Sequence, residues 1–589
     1  MLKLLLACFF CFCIAIFMRR RFLAEQPEQP ADTPMEGWLM NKYQKRKITT
    51  PEFVDGCHAE VSSSSSSKSS ELVNKVATMQ KKTYSNKSRG VKRALATDST
   101  LLEPYEADII LWDRHSAKQV VRPMCFLNIH EVVETVVEEN PGVDFCRYDD
   151  RQSRYEEVLS DTCQRLGVDR QHTGGIAIWG DYAKYHTRDS IALLLWSFLT
   201  GPIRQRFWLA GFAKRQGCNC GCSQKHTIDG MFQVVKWMLQ VMLARTWPSV
   251  RHDGIPFKDS HRPGDQERAR MAGKPLPFML VIQKKCADWS WFKGTMGLQG
   301  WANGVGKSNA KTCFKCMADC DGVPWTDPSK TAKWRPTVFT TATFWAFAMF
   351  TNMHVSPIFG WPGFLYDMVD ADWMHTVDLG VTLSALGNMC LDFFEHVGGT
   401  RTNCDPALGK LMNMIIVASH AVGKKPPIWD LTLSMIQSGA DAPLLKLKAA
   451  EARYMVPVCL HMARHFFPAT SDYEKLRLQM FEQLAHCYKQ LDDFNAESMG
   501  FHARSFVMMY NQLNRDALST NIRSLRWRLY PKFHLMIHLC ESEENPKDSW
   551  NYMDESAIGD SAIDAEGCHP NHMHRALIQN RRIFHHRRK

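Results

Sequence analysis

Two apolar runs in this chain each lead directly into an aspartate, and they constrain its fold more than any other feature. They are "IAIWG", which stops at Asp181, and "FMLVIQ", which leads to Asp288. A short continuous apolar run bounded by polar residues reads as a strand buried on both faces. One aspartate at a strand exit has an ordinary explanation in turn or capping chemistry. Two of them become a paired acid site only if the sheet sets their strands side by side.

The rest of the chain supplies the sheet's surroundings. "EADIILWD" reads as a strand, and "GGIAIWGDYAKYHTRDSIALLLWSFLTG" as a strand, a turn and a helix, with Asp189 or Ser190 as its N-cap. "DGMFQVVKWMLQVMLARTW" carries apolar residues at helical spacing, and "TATFWAFAMF" reads as a short core helix. From about residue 340 to 515 the pattern is mostly helical, through "DLGVTLSALGNMCLDFFEHV", "APLLKLKAAEARYMVPVCLHMARHFF" and "YEKLRLQMFEQLAHCYKQLDDF". A chain of 589 residues makes two to four folding units the expectation. Residues 22–100 hold "EQPEQPADTP" and "SSSSSSKSS" and read as a disordered basic and Ser-rich linker. Before them, residues 1–21 form an apolar run closed by Arg19, Arg20 and Arg21. That run suits either a single membrane anchor with the bulk of the chain on the cytoplasmic side or an upstream segment fused to a soluble protein. Nothing later reads as long and apolar enough to span a bilayer.

Of twenty cysteines most are scattered, but six form two tight groups, at Cys218, Cys220 and Cys222 with His226, and at Cys313, Cys316 and Cys320. Thiolates and imidazoles this close in sequence are Zn²⁺ ligands by type, sharing one ion or holding one each. "GVGKSN" lacks the upstream glycine of a phosphate loop, since counting back from Gly306 lands on Trp301. "DADWMHTVDLGV" sets His375 and Asp378 on one helical face behind Asp372, a capping and hydrogen-bonding cluster. "YPKFHLMIHL" carries His534 and His538 four apart without the glutamate of a zinc protease and reads as a packed helix. A late acid that joins Asp181 and Asp288 has to come from the tail, and Glu555 is the first choice with Asp554 as its rival. Three carboxylates at close range repel unless divalent cations lie between them; Mg²⁺ or Mn²⁺ suits such oxygen ligands. Two such ions activate a water or 3′-hydroxyl and stabilise the leaving oxygen of a phosphodiester. The formal net charge of +11 and the basic end "RRIFHHRRK" suit an anionic partner, nucleic acid before acidic lipid.

Taken in order, these landmarks resemble the cut-and-paste DNA transposases of the CACTA/Plavaka type. The order runs strand–Asp, strand–Asp, Cys-x2-Cys, "DWMHTVDLG", a helical block, "YPKFHLMIHL" and a late acid. They are also similar to a transposon-derived, multi-copy protist lineage, in whose "GDWKW"-like place "ADWSWF" stands here. The resemblance covers roughly residues 170–580. It implies an α/β fold with an RNase H-like core interrupted by a zinc-binding Cys-rich insertion and a large helical insertion. The first part of the core with its Cys-rich insertion would span 101–330, the helical insertion 331–515, and the end of the core with the basic tail 516–589. Asp181, Asp288 and Glu555 would be both the catalytic residues and the Mg²⁺ or Mn²⁺ ligands, and Cys313 and Cys316 would belong to the zinc insertion. The implied partner is double-stranded DNA at transposon ends, handled by a homo-oligomer in the nucleus. The departures are Trp289 after the second acid in place of Pro-Ala, an extra polar residue in "VDLG", and an N-terminal apolar segment foreign to the family. Two other expectations stand beside this one. They are a non-catalytic, zinc-containing DNA-binding protein derived from a transposase, and a single-pass membrane protein touching the bilayer through residues 1–21 without enzymatic role.

Overall fold

The computed structural model describes residues 103–578 except 149–152, 204, 299–311, 321, 567, 569–572 and 576, together with Phe53, Val54 and Cys57. Residues 102–578 form the larger of two compact units. The N-terminal apolar segment, "GVGKSN" and the basic tail lie outside the described residues, as does the expected 22–100 linker apart from Phe53, Val54 and Cys57, which are helical and buried, against the expected disorder there. The fold is mixed α/β.

The larger unit begins with an antiparallel hairpin, β1 (Tyr105–Asp113) and β2 (Lys118–Phe126). Helices α1 (Ile129–Glu139) and α2 (Ser153–Leu166) follow. The five-stranded sheet is built from β3 (Thr173–His186), β4 (Asp189–Phe198), β5 (Phe207–Ala213), β6 (Met279–Ala287) and β7 (Val369–Ala371). Their spatial order is β5-β4-β3-β6-β7. β4 runs antiparallel to both neighbours, whereas β6 is parallel to β3 and β7 parallel to β6. Helix α3 (Lys225–Ala244) belongs to the crossover from β5 to β6 and packs on β1 and β6. Every residue of β5 and β6 is buried; β5 is apolar throughout, whereas β6 also buries Gln283, Lys284 and Lys285.

Two local expectations are overturned. Asp181 does not stand at a strand exit: β3 runs on to His186, and Asp181 pairs with Leu193 inside it. "IALLLWSFL" is strand β4, not a helix, and Asp189 opens the strand instead of capping a helix. A strand buried on both faces has no polar side to alternate with, so its period vanishes, and only pairing with β3 and β5 decides its state.

The crossover also contains α4 (Asp265–Met271), which ties the first hairpin to α1 through buried charge. Arg268 meets Glu131 at 2.7 Å and Asp265 at 3.1 Å, and Asp265 also pairs with Arg251, all four side chains lying inside the protein. Although burial pushes the Glu131 carboxyl up, the Arg268 guanidinium outweighs it and holds the group below the usual range. Glu131→Ala leaves a fully buried guanidinium short of one partner. Its expected cost is about 3 kcal/mol, checked by the midpoint of urea unfolding.

Beyond β6 the chain is mainly helical. Helix α5 (Thr341–Phe350) carries "TATFWAFAMF", yet only Phe344 and Ala348 are buried and Phe350 is 91% exposed. This corrects the expectation of a core helix: a helix apolar on all sides has no preferred face for its sequence to reveal. A π-helical stretch, Met374–Thr382, continues into α6 (Leu383–His396). Residues 374–396 are long and apolar enough to cross a membrane, against expectation, but are mostly buried within the fold as a core helix. Then come α7 (Asp405–Ala421), α8 (Ala449–His465), α9 (Asp472–Gln490) and α10 (Ala496–Thr520). The chain returns to the sheet through α11 (Pro531–Cys540), which packs on β7, and α12 (Tyr552–Glu566), which packs across β3 and β4.

Candidate functional site

The parallel pairing of β3, β6 and β7 creates a row of three aspartates. Gly180 pairs with Ala287, and Ala287 with Ala371, so the residue that follows each is Asp181, inside β3, and Asp288 and Asp372, one step past the ends of β6 and β7. Neighbouring strands lie about 4.8 Å apart, and residues in register point to the same face. Two side chains report on the row. The Tyr182 phenol is pushed above its usual range by burial first and then by the Asp288 and Asp181 carboxylates. Lys532, from α11, lies in the field of Asp288 and Asp372.

Local sequence explains how each acid is held. Gly180 is required because the Trp291 ring covers it; a Cβ there would lie 2.3 Å from the indole. Asp181 is buried, and its Oδ1 accepts from the Tyr182 amide at 2.6 Å. Asp288 caps the short turn that follows β6, accepting from the Trp291 amide at 2.6 Å and the Ser290 hydroxyl at 2.8 Å. Asp372 accepts from the His375 amide at 2.7 Å and the Asn551 amide at 2.8 Å, while the His375 ring nitrogen Nδ1 lies 2.7 Å from it. Asp288, Ser290, Asp372, His375 and Lys532 line one cavity of about 120 Å³, with Phe314 in its wall. The Lys532 ammonium donates to the His375 carbonyl at 2.6 Å. To get there it crosses Gly380, where a Cβ would lie 2.4 Å from Lys532 Cδ.

Asp372 is thus a functional-site candidate that its reading as a cap did not reveal, although capping is part of what it does. Glu555 and Asp554 fall in α12. Their side chains lie outside the described residues. Asp378, from the same motif, is buried and takes hydrogen bonds from Trp373 Nε1 at 3.3 Å, from the Tyr552 hydroxyl at 2.7 Å and from the Tyr488 hydroxyl. Burial raises its carboxyl from 3.8 to about 7, against the lowering pull of those two tyrosines. A carboxyl raised on folding weakens the fold as pH rises from the unfolded pKa to the folded one, because only the unfolded chain then gives up its proton. Asp378→Asn is therefore expected to stabilise the protein at pH 8 by about 4 kcal/mol and to leave it unchanged near pH 3. Thermal unfolding at the two pH values checks this.

Two Cys/His groups can each hold a metal ion. The first is the expected one, Cys218, Cys220, Cys222 and His226. Cys218 Sγ lies 3.4 Å from Cys220 Sγ and 3.5 Å from His226 Nδ1, and Cys220 Sγ lies 3.4 Å from that nitrogen. A tetrahedral ion with ligand bonds of about 2.0–2.3 Å needs ligand–ligand edges of about 3.3–3.8 Å, so these separations fit. The Gln119 side-chain amide of β2 donates to both sulfurs, at 3.1 and 3.3 Å. The Cys220 thiol is lowered to about 7, foremost by the hydrogen bond from Cys218.

The second group corrects the sequence reading. Cys313 and Cys316 are joined by His534 and His538 of α11, and Cys320 is not a member. Cys316 Sγ lies 3.2 Å from His534 Nε2, Cys313 Sγ 3.7 Å from His538 Nε2, and the two Nε2 atoms are 3.1 Å apart. His534 Nδ1 is 3.1 Å from the Trp325 carbonyl, an interaction that leaves Nε2 facing the cysteines. The signal was present as Cys-x2-Cys followed by His-x3-His, a standard ligand spacing. It went unread because 218 residues separate Cys316 from His534. Among the described residues, only these two groups bring three or more ligand atoms within 4.8 Å of one another, so the aspartate row is a looser arrangement.

Comparison with protein-family models and with curated proteins finds no match. The geometry therefore carries the functional argument alone.

Proposed function

We propose that this protein is a transposase-like polynucleotidyl transferase that cuts and joins DNA phosphodiesters with two Mg²⁺ or Mn²⁺ ions on an RNase H-like core. The observation that carries the reading is the placement of Asp181 and Asp288 each one residue past the paired Gly180 and Ala287 of adjacent parallel strands. The strand order β5-β4-β3-β6-β7, with only β4 antiparallel to its neighbours, supports the core assignment. In this reading Asp181 and Asp288 hold the ions with Glu555, carried on the helix that packs across β3 and β4. Asp372 adds a further acid to the row. The ions supply Lewis acidity and an activated oxygen nucleophile. The chain's own residues hold the carboxylates on a rigid sheet, place the Lys532 cation beside them and line the cavity with apolar side chains that exclude water. The two Cys/His groups take zinc, as their sulfur and imidazole donors favour. The net charge of +11 supplies phosphate contacts to duplex DNA.

A second reading, a zinc-containing DNA-binding protein without catalysis, is favoured by one observation. Asp181, Asp288 and Asp372 are each engaged in local hydrogen bonds and are not drawn together. Incubating the purified full chain with supercoiled plasmid and Mn²⁺ decides between the two. Nicking supports the first reading; salt-dependent duplex binding without nicking supports the second.

A further inference from the structure

We propose that the metal ion held by Cys313, Cys316, His534 and His538 sets the wall of the acid cavity, by fixing Lys532 and Phe314 in place. The part of this that concerns divalent-cation binding rests on the function proposed above. The contacts of the Cys-x2-Cys turn and of α11 with the cavity all arise within two residues of a metal ligand. Phe314, between the two cysteines, lines the cavity with Asp288, and its carbonyl accepts from the buried Tyr366 hydroxyl. Lys315, the next residue, reaches the end of the sheet, donating to the Val369 carbonyl at 2.6 Å and to Asp370 at 3.1 Å. On α11, Lys532 stands two residues before His534, and Leu535 follows it; both line the same cavity. Trp334 packs against both imidazoles, with ring centres 4.6 and 4.9 Å away.

A tetrahedral ion fixes four side chains to within a few tenths of an ångström. Here it clamps the turn that carries Phe314 to the helix that carries Lys532, and so fixes two cavity walls relative to each other. Without it, the four donors lose their common partner, and Lys532 is free to leave its narrow path over Gly380.

Lysine acylation read by mass spectrometry on the full-length protein tests this. In the zinc-loaded protein Lys532 is expected to be protected, as is Lys285, which is buried in β6. Chelator treatment, or His538→Ala, is expected to raise Lys532 labelling at least tenfold while Lys285 stays protected, and Zn²⁺ added back to the chelated wild type restores protection. Cys220→Ser, which affects the other metal group, leaves Lys532 protected. Unchanged Lys532 labelling overturns the proposal, and so does parallel exposure of Lys285, which would mean that the ion holds the whole fold and not this wall. Mn²⁺ binding followed by electron paramagnetic resonance is the second measurement. Binding lost with the zinc and regained with it supports the clamp; binding indifferent to zinc overturns it. If the zinc-loaded protein binds no Mn²⁺ at all, the nuclease reading fails, while the Lys532 labelling still decides this inference.

Discussion

Asp288→Asn is expected to lower Mn²⁺-dependent plasmid nicking by about 10⁴-fold, or about 5.5 kcal/mol of barrier, while barely changing stability. The separation follows from the two jobs this carboxylate has. As a cap it accepts from the Trp291 amide and the Ser290 hydroxyl. Asparagine caps about as well as aspartate, so the turn after β6 survives. As a metal ligand it contributes negative charge, which asparagine lacks. Asp181→Asn is expected to behave in the same way, because the amide oxygen can still accept from Tyr182 while the charge is lost. If both variants abolish nicking with unfolding midpoints unchanged, the row in register is the chemical site. If both nick like the parent, the activity belongs to a contaminant and the carboxylates have only their capping role. Asp288→Ala is the useful contrast, since it is expected to lose both the activity and about 1 kcal/mol of stability.

The second large effect concerns the Cys/His group on α11. Cys316→Ser or His534→Ala is expected to reduce bound zinc by one ion per chain and to cost about 4 kcal/mol of stability, with the native fold retained. Both positions are buried, so a lost ligand leaves sulfur or imidazole without its partner inside the protein. Cys320→Ser is the control: it stands outside the group and is expected to change neither zinc content nor melting temperature. Elemental analysis with thermal unfolding checks all three. A zinc content that falls with Cys320→Ser and not with His534→Ala would return Cys320 to the group in place of His534.

Several elements were legible because their causes are local. The apolar runs ending at Asp181 and near Asp288 read as buried strands and are β3 and β6, and the helical spacing of "DGMFQVVKWMLQVMLARTW" is α3. The first metal group was legible too, since its four members span only nine residues of one loop and helix start. Where the cause is not local, the reading failed. "IALLLWSFL" carries no period, so pairing with β3 and β5 made it a strand. Helix α5 looked like core by composition, yet its neighbours cover only part of it.

The sequence by itself determined which residue types could do chemistry here: aspartates behind apolar runs, cysteines and histidines at ligand spacing, and a basic surplus. Periodicity and turn residues encode those features over a few positions. Tertiary structure alone decided which of them meet. It set Asp372 in the row with Asp181 and Asp288 through two parallel strand pairings. It exchanged Cys320 for His534 and His538 by folding α11 back onto the Cys-x2-Cys turn. Such pairings depend on the path of the chain between distant segments, and no local pattern records that path.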